Sequence, residues 1–315
     1  MEYITTREAA EKWKVSERLI QQYCADGRIE GAQKFGGAWA IPAGTRKPSD
    51  PRRPVPAAKP GPGPAPSPDA PSTPCLTPMP LMNAPFLPGH CMEYVEGLQD
   101  PRLRDIALAE YHYFSGVPEQ AAREAEVYLS HSDLSLRLSA CLIYTYANLS
   151  IGQIQRAQHT LAQVRSTLAD GGDELPPQLR ASAVFIITTA AVLLHLPPPE
   201  EEGGLLAHLQ LLPPGLQMFA LYVQAHQIYL RGEYGKSLGI VEVGFGMHGH
   251  RYPIPAIYMH LAAVMDCMAL KQPEEAQRHL LAAWELARPD DLIEGLGEHH
   301  GLLGGMLEAV LKKDY

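Results

Sequence analysis

Six side chains near the N-terminus have the chemistry of base and phosphate recognition: Ser16, Arg18, Gln21 and Gln22, followed by Arg28 and Lys34. An arginine can meet guanine O6 and N7 with two parallel hydrogen bonds, and a glutamine can do the same at adenine N6 and N7. A serine at the start of a helix reaches a phosphate where the helix dipole favours an anion. Lysine acts as a point charge, so Lys34 is expected to touch the phosphate backbone rather than to read bases. The partner implied is double-stranded DNA.

Such residues can read a groove only if a short helix presents them. Thr5 followed by Glu8 forms a capping box, which predicts a helix running to about Trp13 with Ala9, Ala10 and Trp13 on its apolar face. Lys14-Val15 makes a turn, Ser16 caps a second helix over 17–25, and Gly27 closes it. Leu19, Ile20 and Tyr23 point inward there, which leaves Ser16, Arg18, Gln21 and Gln22 outside. Gly36-Gly37, between 32–35 and 38–41, reads as a hairpin turn, with Phe35, Trp39 and Ile41 placed to cover both helices. Two helices, a tight turn and a following wing form a helix-turn-helix arrangement. The string Val15-Ser16, Leu19-Ile20-Gln21-Gln22-Tyr23, Gly27, then Gly36, Trp39 and Ile41-Pro42 resembles the excisionase/MerR-type winged helix-turn-helix. That resemblance implies DNA binding through the second helix and the wing. So small a head binds weakly alone, so a homodimer over paired half-sites is expected.

Charge supports the same division. Residues 1–60 hold eleven lysines and arginines against seven acidic residues, whereas the remainder holds fifteen against twenty-eight. Only the N-terminal part has a sign that suits nucleic acid. Between them, 15 prolines in the 41 residues 48–88 predict a flexible linker. The expected domains are therefore a DNA-binding head over 1–47, a linker over 48–88 and a third segment over 89–315.

Apolar residues in that third segment recur at helical spacing, as in Leu103, Ile106 and Ala107 or Leu280, Leu281 and Trp284. Gly116, Gly152, Gly232 and Lys271 mark similar turns separated by 36, 80 and 39 residues, and 80 leaves room for one degenerate unit turning near Leu196 to Gly204. This period fits a degenerate tetratricopeptide array, a right-handed α-solenoid with a concave face. Tyr111, Tyr144, Tyr222 and Tyr229 are candidates to line that groove for a peptide, a small effector or a protein partner. The stretches 107–116 and Ala282-Ala283-Trp284-Glu285-Leu286-Ala287 resemble the tetratricopeptide-like domain of LuxR/MalT-type bacterial regulators. Regulators of that kind carry a helix-turn-helix after this domain; here the chain stops at Tyr315, which leaves a head at the N-terminus alone or a truncated product.

Other motifs fail on context. Gly244-Phe-Gly-Met-His-Gly249 matches a dinucleotide fingerprint, but Pro253 and Pro255 follow at once, so the stretch reads as a loop between helix pairs. His248, His250, His299 and His300, with Asp266 or Glu298, lack metal-ligand spacing, and no nucleophile elbow or P-loop is present. No catalytic residue, metal or cofactor is expected. Five scattered cysteines without a C-x-x-C pair fit a reducing cytoplasm, and no apolar run is long enough for a membrane span. The expectation is a mainly α, cytoplasmic, bacterial transcription regulator. The alternatives are an interaction scaffold and an excisionase-like recombination factor.

Overall fold

The computed structural model describes residues 3–13, 17–25, 29, 32–35, 38–42, 45, 77–171, 175–194, 196, 204–303 and 305–308. The chain is mainly helical and divides into two compact units, Met1–Ser72 and Thr73–Tyr315.

The first unit runs β1 (Tyr3–Thr5), α1 (Thr6–Trp13), α2 (Glu17–Ala25), β2 (Gln33–Phe35) and β3 (Ala38–Pro42). The capping box forms as read: Thr5 N donates to the Glu8 carboxylate at 2.8 Å, and Glu8 N donates to Thr5 Oγ1 at 3.3 Å. The hairpin pairs Lys34 with Trp39. The unforeseen β1 adds to its other edge with Ile4 opposite Ile41, giving the antiparallel order β1-β3-β2. Ala9, Ala10, Ile20, Tyr23, Cys24, Ile29 and Ile41 form the core, with Trp13 and Trp39 half-buried against it.

The second unit contains α3 (Cys91–Gly97), α4 (Pro101–Phe114), α5 (Pro118–Glu126), α6 (Leu134–Ser150), α7 (Ile154–Gly171), α8 (Pro177–Leu193), α9 (Gly204–Ala207), α10 (Pro214–Leu230), α11 (Tyr234–His248), α12 (Pro253–Ala269), α13 (Pro273–Ala287) and α14 (Glu294–His299). Proline opens α4, α5, α8, α10, α12 and α13, where its missing N–H costs no hydrogen bond. Four helix pairs turn in the same way. Gly116, Gly152, Gly232 and Lys271 adopt φ of 79°, 76°, 78° and 61°, and the next residue donates back to the last helical turn: Val117 to His112 O, Gln153 to Asn148 O, Glu233 to Ile228 O and Gln272 to Cys267 O. This is the Schellman closure, for which a left-handed residue is required. Leu196 N makes the same bond to Ala191 O after α8, and the four-residue α9 follows. Helices α6, α8, α10 and α12 each span 17 residues and are buried over most of their length.

Two expectations need correction. The linker expected over 48–88 does not extend through 77–88. Met79, Leu81, Met82, Ala84 and Phe86 are buried in the helical unit, two of its side chains grip the backbone of this stretch, and Asn83 holds the unit in return. Ser139 Oγ accepts from Met79 N at 2.9 Å, the Glu110 carboxylate accepts from Leu81 N and Met82 N at 2.9 and 2.8 Å, and Asn83 Oδ1 accepts from Gly215 N at 2.7 Å. Only glycine fits at 215, since a Cβ there would lie 2.6 Å from Asn83 Cα. The prolines among these residues prevent a helix, not packing. Second, 244–248 is not a loop but the end of α11, capped by Gly249: Gly244 lies buried within the helix, where a Cβ would collide with Met259 of α12.

The far end of the unit returns to its beginning. The Asp290 carboxylate accepts from Gly89 N at 2.7 Å and Cys91 N at 2.9 Å, and the Tyr113 hydroxyl of α4 donates to the Glu298 carboxylate of α14. His299 of α14 stands among the rings of Tyr222, His226 and Tyr258, with centroids 6.1, 6.1 and 5.9 Å away.

Candidate DNA interface and ligand pocket

On α2, burial of Ile20, Tyr23 and Cys24 in the core turns Gln21 outward, where it is exposed. Arg18 and Gln22 belong to the same helix, three positions before and one after Gln21. Their side chains lie outside the described residues, as do Ser16 and Arg28 altogether. Lys34 is exposed on β2 with its ammonium 5.7 Å from the centroid of the Trp39 ring, a cation–π contact that holds the charge at the hairpin surface.

The four tyrosines expected in one groove are not brought together. Tyr222 and Tyr229 share α10 and flank His226, with centroids 5.9 and 6.3 Å from its ring. Tyr144 of α6 instead lines a separate cleft with Gln155, Arg156 and His159. Tyr111 of α4 is half-buried; burial raises its hydroxyl above the usual range, with smaller contributions from Cys91, Asp291 and Asp290. Two residues apart on one helix, Tyr144 and Tyr146 face different directions, so the pocket takes Tyr146 rather than Tyr144.

That pocket, about 130 Å³, lies between α6, α8 and α10 and is lined by Tyr146, Thr189, Tyr222 and His226 with Val192, Leu193 and Val223. Its polar groups are fixed in place. The Tyr222 hydroxyl lies 3.2 Å from His299 Nε2, and His299 Nδ1 lies 2.7 Å from Gly295 O. A carbonyl can only accept, so the proton sits on Nδ1, and Nε2 accepts from Tyr222. Burial agrees, pushing His299 down to about 4 and so keeping it neutral at pH 7. Burial, reinforced by Glu298, holds the Tyr222 phenol well above its usual range, so it remains a neutral donor. Thr189 Oγ1 donates to Phe185 O at 2.8 Å. The result is an aromatic slot with oxygen acceptors and, among the described residues, no lysine or arginine in its lining.

Sequence reasoning did not single out Thr189, His226 or His299 for this role. A usable signal existed for His226, which stands six residues before Gly232, as Tyr146 stands six before Gly152. The same register on two repeated helices sends both side chains to one place. Among the described residues no group of three or more His, Cys, Asp or Glu could hold a metal ion, and no helix is long and apolar enough to cross a membrane. No family model, curated protein or solved structure matches this chain.

Proposed function

We propose that this chain is a transcription regulator. Its first unit acts as a winged helix-turn-helix on double-stranded DNA, and its second, a helical-repeat unit, senses a small effector. One observation carries the DNA reading: a separate unit in which a capped helix, a second helix exposing Gln21 and a hairpin exposing Lys34 share one small core. A head with so few contacts needs two copies on paired half-sites, so the active form in this reading is a homodimer. The effector reading rests on the slot between Tyr146, Tyr222 and His226, whose volume is close to that of a cavity that takes benzene. A small, planar, uncharged molecule with one hydrogen-bond donor suits its aromatic walls and acceptors.

The test is fluorescence anisotropy on a duplex selected from a random pool and on a scrambled control, across several salt concentrations. Arg18→Ala and Gln21→Ala should each lose about 1–3 kcal/mol on the selected site and leave non-specific binding nearly intact. Lys34→Ala should weaken both duplexes alike and lower the salt slope by about one. An unchanged preference in Arg18→Ala and Gln21→Ala would remove α2 as the reader. Absence of salt-dependent binding would favour the scaffold reading.

A further inference from the structure

Three histidines from separate elements meet nitrogen to nitrogen in the second unit. His250, in the turn between α11 and α12, places Nε2 3.0 Å from Nε2 of His260 on α12, and His260 Nδ1 lies 2.8 Å from Nδ1 of His279 on α13. The His250 and His260 rings stack at 14° with centroids 5.0 Å apart, and the Phe245 ring of α11 sits 4.5 Å from that of His260. His260 is buried, His279 half-buried and His250 exposed.

Each of these contacts requires one proton between its two nitrogens and no more. Three neutral imidazoles bring three protons; two occupy the contacts and the third points away from one end. Of the remaining nitrogens, only His250 Nδ1 and His279 Nε2 lie outside the contacts, so the chain can hold a single excess proton with both contacts intact. A second excess proton forces N–H against N–H.

We propose that His250, His260 and His279 form a proton-counted latch, which holds α13 and the α11–α12 turn on α12 until the chain takes up a second excess proton. The surroundings resist that uptake. Burial pushes His260 down to about 3, with His279 and His250 adding to the effect. Burial also lowers His279; Arg278 beside it on α13 and His250 act in the same sense, and Glu242 of α11 opposes them. His248, at the end of α11, is lowered by burial. The titratable groups of α14 are engaged elsewhere: Glu298 and His299 lie against Tyr258, Glu294 accepts from the Ser150 hydroxyl at 2.7 Å, and His226 of α10 lies beside His299. With His260 and His279 held below a free histidine in the fold, the stability they confer is present above about pH 6.5 and is lost as pH falls from there.

Hydrogen exchange of the full chain, corrected for intrinsic rates, tests this on the amides of 273–287. The latch predicts at least about tenfold more frequent opening of α13 at about pH 5 than at about pH 7.5, with a dependence steeper than one proton. His279→Phe should reduce that dependence to one proton or fewer. His250→Ala, in the exposed turn, serves if the first variant does not fold, and should lower the slope by about one proton. Opening of α13 that ignores pH, or a slope left unchanged by these variants, would overturn the proposal.

Discussion

Replacing Glu110 by glutamine tests how residues 77–88 are held. The residue is fully buried, and its carboxylate receives Leu81 N and Met82 N. Glutamine keeps the shape but offers one oxygen, so one amide meets an NH2 group, and a buried donor left unmade costs about 1–3 kcal/mol. Titration acts in the opposite direction. Burial pushes the Glu110 carboxyl up from 4.5 to about 8 against the pull of the two amides. Because the folded value is raised, the contribution is full below about pH 4.5 and is lost as pH rises toward about 8, at up to about 1.4 kcal/mol per unit and roughly 3–5 kcal/mol in all. Glutamine does not titrate and escapes that loss. Urea unfolding of the full chain, followed by far-ultraviolet circular dichroism, should therefore show wild type more stable at about pH 5 by roughly 1–3 kcal/mol, with the order reversed at about pH 8.5. A difference that does not vary with pH would refute the reasoning and show that the two amides keep Glu110 ionised inside the fold.

Asp266→Asn should raise the melting temperature at about pH 8. Both Asp266 oxygens are buried without a donor, the Ser237 hydroxyl beside them being given to Ala225 O at 2.9 Å, and burial pushes the carboxyl up to about 6. The gain, roughly 1–2 kcal/mol, should shrink below about pH 5, where the aspartic acid is protonated; equal gains at both pH values would contradict this. Gly215→Ala and Gly239→Ala make a matched pair in thermal melts. The first drives a methyl into the Asn83 backbone and should cost about 2 kcal/mol or more, whereas the second, on α11, meets nothing within 4 Å and should stabilise by up to about 1 kcal/mol.

Local chemistry made much of this fold legible, and the gaps follow from long-range contacts. The Thr5–Glu8 capping box and the turn residues Gly116, Gly152 and Gly232 act within a few positions of chain, so their spacing reveals them. Lys271 shares the glycines' positive φ, and its identification depended on register rather than residue type. β1 is a strand of three residues whose pairing with β3 depends on chain nearly forty positions away, and its own length carries no alternation. Met79, Leu81, Met82 and Phe86 were hidden by their prolines, since what anchors them is a glutamate on α4 and a glycine at the start of α10. Histidines 248, 250, 299 and 300 drew attention as sequence pairs, yet His250 pairs with 260 and 279, and His299 with Tyr222. As for the groove, tyrosine content pointed to α6 and α10, but which of Tyr144 and Tyr146 faces inward is a matter of helix rotation.

The bonds from Asp290 to Gly89 and Cys91 join positions 201 and 199 residues apart. Contacts of such sequence separation form late, because the chain entropy of closing so large a loop must be overcome before any of their energy is recovered. During synthesis, then, α3 and the turn before it leave the ribosome with the amides of Gly89 and Cys91 still waiting for a carboxylate made some two hundred residues later. Helix pairs can assemble in order of emergence, but closure of the unit must wait for α13 and the turn after it. Growth from the N-terminal end leaves an open, partly assembled stack exposed for most of translation, and that interval is where this chain has most need of a chaperone.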